Sequence, residues 1–223
     1  MNVSITQHLN RLAGAGLVAL LTAAVAPVTA AQSPAGKAYC TYVQTPVASS
    51  GRTALVVLPT VSGTDGSEAD GSGGTLNVPG ALSADFLQSI TSGALGAAES
   101  GAQSTASAEN INVLGGLITA TGLVANVRTR LAGGVAVSDA DGSSFSDLVV
   151  AGVPVTSGDG TVAPNTRINL SGVGYVVLNE QLRSGDGVST SGLTVNMIHV
   201  YLKGLFGNTI GQIVVGSASS SMQ

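Results

Sequence analysis

Between Thr166 and Tyr201 the chain reads TRINLSGVGYVVLNEQLRSGDGVSTSGLTVNMIHVY. A β-branched run meets the glycine corner Ser171-Gly172-Val173-Gly174 and returns as Val176-Val177-Leu178-Asn179-Glu180-Gln181. It breaks at an acidic glycine turn around Asp186 and leaves as a longer third run. Runs bounded this closely by turn residues are strands joined by hairpins, and hairpins join antiparallel neighbours. A sheet that is apolar on one face needs a second layer, so the rest of the chain is expected to supply one.

The remaining sequence meets that demand. Ala38–Val43 and Thr53–Leu58 read as strands bounded by Pro, Gly and Ser. Leu117, Thr119, Thr121, Leu123, Ala125, Val127, Thr129 and Leu131 alternate, which places them on one face, with Asn126, Arg128 and Arg130 on the other. Val135–Ser138, Phe145–Ala151, Val153–Thr156 and Gln212–Ser219 continue the pattern, and Asp139–Gly142 and Ser157–Gly160 punctuate it as turns. Residues 62–74 hold Gly, Ser and acids with no apolar residue larger than Ala, and are expected to be a mobile acidic loop. Leu82, Phe86 and Ile90 fit a helical face, yet the run alternates as well. No helix is expected. The fold class is an all-β antiparallel sandwich or barrel-like domain over residues 32–223. The alternative is an irregular β-solenoid, from the loose echo of Ile111-Asn112-Val113 in Leu148-Val149-Val150 and Leu193-Thr194-Val195.

Residues 1–31 stand apart. A polar start with His8 and Arg11 precedes an apolar run from Leu12 to Ala26, then Pro27, with Val28 and Ala30 placed as signal peptidase prefers. The run is shorter than the roughly 20 residues that span a bilayer. A signal peptide is expected, with a retained membrane anchor as the alternative. Beyond Ala31 come seven basic residues (Lys37, Arg52, Arg128, Arg130, Arg167, Arg183, Lys203) and twelve acids, with no basic cluster in sequence, so nucleic acid is not an expected partner. The single cysteine, Cys40, allows no internal disulfide and reads as a small buried hydrophobe.

Several segments together carry a resemblance. Ala108–Ala120, Ser144-Phe145, Leu148-Val149-Val150, Ala163–Arg167, Gly172–Gln181 and Ser191–Val200, in this order, resemble the choice-of-anchor P family. The resemblance spans about Ala38 to Ser219 and implies an exported, β-rich bacterial protein of a family without a generally assigned activity. Its members carry C-terminal sorting signals. Here Val215 is followed by GSASSSMQ, which has no such motif, so the means of attachment stays open.

The catalytic possibilities are narrow. After leader removal His199 is the one histidine, so a Ser–His–acid triad would need it, with Asp147, Asp186 or Glu180 as orienting acid. No Gly-x-Ser-x-Gly elbow occurs, and one Cys and one His do not make a zinc site without carboxylates. Asn179-Glu180-Gln181 reads as a strand-end set bonding neighbouring backbone. Glycine-rich segments lack the lysine and helix of a phosphate-cradling loop. Calcium is the small ligand the residues favour most: Asp65, Glu68 and Asp70 form one oxygen cluster, and Asp139, Asp141 and Ser143 with Asp147 form the preferred one. No other cofactor is expected.

The expected function is that of a non-catalytic exported structural or interaction protein of the cell envelope, outside the cell or periplasmic, that binds another protein through loops or sheet edges. The alternatives are a calcium- or carbohydrate-binding module, and a periplasmic accessory subunit of a membrane complex. Membrane contact is expected only if residues 1–31 are retained.

Overall fold

A computed structural model describes residues 33–62 and 64–223, so the leader expected over residues 1–31 lies outside the described residues. In chain order the strands are β1 (Pro34–Gln44), β2 (Ser49–Thr53), β3 (Val56–Val57), β4 (Ser67–Gly73), β5 (Leu76–Val78), β6 (Leu82–Ala94), β7 (Glu99–Val113), β8 (Ile118–Ala132) and β9 (Val135–Asp139). The second half adds β10 (Ser144–Ser146), β11 (Val149–Val150), β12 (Val153–Pro154), β13 (Asp159–Gly160), β14 (Thr166–Leu170), β15 (Gly174–Ser184), β16 (Ser191–Lys203) and β17 (Thr209–Met222). Sheet I runs β14-β15-β16-β17-β1-β2, with β3 on β1. Sheet II runs β12-β11-β8-β7-β6-β4, with β5 on β6, β9 and β10 on β8, and β13 on β10. The two antiparallel sheets pack as an open sandwich and close no barrel. Hairpins rather than stacked coils connect the strands, so the solenoid alternative falls. The opening stretch forms β14, β15 and β16, and β1 inserts beside β17, from Pro34↔Met222 to Gln44↔Gln212.

The interior changes character along the strands. At the end that carries the β16–β17 and β14–β15 turns, Leu178, Ile198, Val200 and Ile213 of sheet I belong to one buried cluster with Leu82, Ile111, Ile118, Phe145 and Leu148. Toward the opposite end hydroxyls take over. Ser220, Thr129, Ser138 and Ser191 form a buried chain with Oγ separations of 2.6, 2.8 and 2.8 Å, and Thr91 meets Ser104 at 2.9 Å. Gly36 lies over that last pair, where a Cβ would fall 2.1 Å from Thr91 Oγ1. A hydroxyl both donates and accepts, so such chains bury polar side chains without charge. No buried side-chain N or O among the described residues lacks a partner.

Both sheets share a transverse break in alternation. In sheet I the ladders pass from Tyr39↔Ser217 to Thr41↔Val215, from Asn196↔Ser217 to Ile198↔Val215, and from Leu178↔Ile198 to Glu180↔Asn196. Cys40, Gly216, Met197 and Asn179 are thereby passed over in one row. Gly216 and Asn179 take φ of 67° and 48°. The inward set on β16 changes from Leu193, Val195 and Met197 to Ile198, Val200 and Leu202. Sheet II repeats the device, with positive φ at Phe86, Asn110 and Asp147.

This break corrects the sequence reading of Leu117–Leu131. Leu123, Ala125, Val127, Thr129 and Leu131 face inward as expected, but ahead of Gly122 the buried residues are Ile118 and Ala120. A phase change of one residue moves every side chain before it to the other face. Thr53–Leu58 is likewise not one strand, because Ala54 at φ 47° ends β2 before β3 begins. The mobile loop expected over residues 62–74 also needs correction: Ser67–Gly73 is an edge strand paired to β6 from Ser67↔Gly93 to Gly73↔Leu87. It needs no large apolar residue, because Glu68, Asp70 and Ser72 face solvent and Gly71 lets Val56 approach. Charged edges of this kind resist pairing with other chains.

Cys40 is fully buried, its Sγ 3.2 Å from Gln88 O and 3.3 Å from Ser107 O across the sandwich, and burial pushes its pKa up. Its thiol is expected to resist a water-soluble disulfide reagent in the native protein and to react stoichiometrically in denaturant. Gly216 points at Leu123, whose Cδ1 would lie 2.4 Å from an added Cβ. Gly216→Ala is therefore expected to cost roughly 2–4 kcal/mol, from left-handed strain and overpacking together, read as a lower urea midpoint at unchanged slope.

Candidate functional site on the outer face of sheet I

The phase change decides what shares the outer face of sheet I. With strict alternation Asn196 and His199 would face opposite ways, as would Tyr175 and Glu180. The break at Asn179, Met197 and Gly216 brings all four to one face. Asn179 holds its side of the break by donating from Nδ2 to Val162 O at 2.7 Å.

Glu180 is the hub. It is 7% exposed and accepts from Asn196 Nδ2 at 2.7 Å and from the Tyr201 hydroxyl at 2.6 Å, while His199 Nδ1 lies 2.6 Å from Oε2. Ser217 Oγ donates to Asn196 Oδ1 at 2.8 Å, and His199 Nε2 faces Gln212 Oε1 at 3.0 Å. Burial by itself would raise the carboxyl's pKa. Hydrogen bonds from His199, Tyr201 and Asn196 outweigh it and hold the pKa down at about 2. The same coupling raises Tyr201, through burial first and then its bond to the carboxylate.

Around this hub lie all four tyrosines of the chain. Tyr175 and Tyr201 stack with centroids 4.8 Å apart, and Tyr201 and His199 at 4.0 Å. The Arg167 guanidinium covers the far side of Tyr175 at 3.8 Å, with Lys203 5.6 Å from the same ring. Arg52 lies 5.0 and 5.2 Å from the rings of Tyr39 and Tyr42. The faces of Tyr175 and Tyr201 are thus taken by neighbours and cations, and Arg52 covers one face each of Tyr39 and Tyr42. With Lys37 on the same side of β1 as Tyr39, the face carries four of the chain's eight Lys and Arg residues. Its single carboxylate, Glu180, is buried.

Sequence reasoning placed Glu180 and His199 among the polar candidates but did not join them to Tyr201 and Asn196. The pairing is half of a triad: an acid orienting a histidine. Gln212 occupies the position of a nucleophile at Nε2, and Ser217 is bonded to Asn196 instead. Asn179-Glu180-Gln181 lies inside β15 rather than at its end, and only Asn179 uses its side chain on backbone as expected. Cys40 faces the interior while His199 faces out, so the two do not meet. Asp186 is absorbed in its own turn, where bonds from Ser189 and from the Thr190 and Val188 amides hold its carboxyl below the usual range.

The preferred calcium residues are not gathered around one point. Ser143 Oγ exchanges bonds with Asn126 N and O at 3.0 Å each. Asp139 accepts from the Asp141 amide, and Asp147 is turned away to Gly158 N and Thr121 Oγ1. Among the described residues no group of three or more His, Cys, Asp or Glu is placed to hold a metal ion. The side-chain oxygens of Asp139, Ser143 and Asp147 are instead spent on neighbouring backbone and on Thr121.

Comparison with models of known families, with curated proteins and with solved structures finds no match to this chain.

The folded carboxyl at about 2 lies below its ordinary 4.5, so its stabilising share is complete above 4.5 and is lost as pH falls toward 2. Glu180→Gln is expected to cost roughly 1–3 kcal/mol at neutral pH and to flatten the decline in melting temperature across that window.

Proposed function

We propose that this chain is a non-catalytic interaction protein of the bacterial cell envelope, exported by its N-terminal leader, which binds another protein through the outer face of sheet I. The observation that carries this reading is the gathering of all four tyrosines with Arg52, Arg167 and Lys203 on one face. Tyr and Arg are the residues that dominate binding energy at protein interfaces, where they give large contact area at low entropic cost. Stacking between neighbours fixes the rings before a partner arrives, which lowers the ordering cost of association. The buried Glu180 network holds Tyr201 and His199 in place from beneath. The resemblance to choice-of-anchor P proteins and the leader pattern support export.

Two observations favour a protein over a sugar or calcium. Sugar platforms use open aromatic faces, and the faces of Tyr175 and Tyr201 are occupied by each other, Arg167 and His199. In the preferred acidic turn Asp139, Ser143 and Asp147 spend their side-chain oxygens on neighbouring backbone and on Thr121. The test is capture from a native envelope preparation with the purified chain as bait, beside Tyr42→Ala and Tyr175→Ala. Each variant is expected to weaken capture of the same band at least tenfold while keeping the wild-type circular dichroism spectrum. Capture unaffected by both variants, or tight glycan binding with no protein recovered, would overturn the reading.

A further inference from the structure

The opposite outer face, on sheet II, has the complementary character. One ladder crosses five strands there: Asp85↔Glu109, Glu109↔Gly122, Gly122↔Ser146 and Ser146↔Asp159. Three of its five residues are acidic, and Asp147 follows directly at the break. Inward neighbours Ala84, Ala108 and Phe145 are buried, so the ladder residues face out. In the same row Phe86 is 68% exposed at φ 48°. A bulky residue in the left-handed region is strained, and Gly or Asn would serve the break at less cost. Strain that displays an aromatic ring to water within an acidic stripe marks a contact surface rather than a packing requirement.

The charges divide the same way. The outer face of sheet I holds four cations and one buried carboxylate, which leaves three cations and eleven acids for the rest of the described chain. Arg128 and Arg130 of β8 also lie on the sheet II face, but the acids of β4, β6 and β7 together with Asp147 and Asp159 outnumber them. A basic, tyrosine-edged face and a net-acidic face with a projecting phenylalanine therefore lie on opposite sides of one sandwich. Face I against face I would set cation on cation, whereas face I against face II pairs opposite signs. The six strands of sheet I, from 5 to 14 residues long and about 4.8 Å apart, present roughly 900 Å², close to the about 800 Å² per partner of a standard interface.

We infer that the partner of the sheet I face is the sheet II face of a second copy of this chain, and that copies associate head to tail. This rests on the proposed role of the sheet I face as a protein-binding surface and names its occupant. A heterologous contact leaves one face free on each end, so association continues into open chains.

Sedimentation velocity of the purified chain without other proteins tests this. In about 0.1 M salt the weight-average mass is expected to rise with concentration up to roughly 100 μM, and to return to monomer in about 1 M salt, where screening falls from about 10 Å to about 3 Å. Arg167→Glu/Lys203→Glu and Asp85→Lys/Glu109→Lys should each remain monomeric alone. Their equimolar mixture should regain higher mass, because every contact in it again pairs opposite signs. Phe86→Gly separates contact from fold: it is expected to melt at or above the wild-type temperature while self-associating at least tenfold more weakly. A wild-type chain that is monomeric at every concentration in low salt overturns the inference, as does a mixture that stays monomeric. If the chain is monomeric yet tyrosine variants lose capture of a different envelope protein, the inference falls and the proposed function stands.

Discussion

The row of left-handed residues that crosses each sheet is the constraint on which the rest of this structure depends. At Gly216 and Asn179 in sheet I the backbone changes phase without changing register, and at Phe86, Asn110 and Asp147 in sheet II it changes phase with register shifts between β6 and β7 on either side of Asp85. All strands of a row must do so together, because a strand that kept strict alternation would turn its apolar set to solvent beside neighbours that did not. The consequence in the core is a continuous apolar layer from side chains of mixed parity. The consequence outside is that Glu180 comes to lie with Asn196, His199 and Tyr201. Packing and candidate site are two faces of one backbone event.

The second principle of the architecture is that hydroxyls replace charge. Only 9% of the residues are charged, yet the sandwich contains buried Ser and Thr chains and a surface of Ser, Thr, Asn and Gly. A hydroxyl is small enough to lie between sheets and can satisfy itself with another hydroxyl, so it avoids the desolvation cost that a buried charge would bring. Glu180 is the exception. Three donors converge on it, and its ionised form is stabilised more by those bonds than it is destabilised by burial. With so few charges available, their placement carries more information than usual: one outer face is basic, and the other is acidic on balance despite Arg128 and Arg130.

Much of this was legible in the sequence. Alternating apolar residues, glycine corners and Asp-Gly turns led to an all-β antiparallel sandwich or barrel-like domain, of which the fold is the sandwich, and Thr166–Tyr201 was read as three strands, which it is. The burial of Cys40 followed from its chemistry. The facing of Leu117–Thr121 and the strand at Ser67–Gly73 were missed for physical reasons. A period of two carries no mark of a phase change at residues such as Thr121-Gly122, and an edge strand of Gly, Ser and acids has the composition of a loop. Positive φ at Phe86 is likewise invisible, since the residue type argues against it. The signal that was available, an Asn or Gly inside otherwise regular strands at Asn179 and Gly216, is the one that points to such breaks.

The candidate site divides along the same line. From the sequence alone come the residue types: one histidine beyond residue 31, one carboxylate inside an apolar strand, four tyrosines, few cations and no tryptophan. Those leave few candidates for the classical catalytic sets, while the buried hydroxyl chains came to light only in the fold. Only the tertiary structure decided that the tyrosines and Arg52, Arg167 and Lys203 share one face, that Glu180 anchors it, and that Asp139 and Asp147 accept from backbone amides. The reason is that cross-strand neighbours are set by pairing over long sequence distances and by breaks in alternation, which local pattern does not encode.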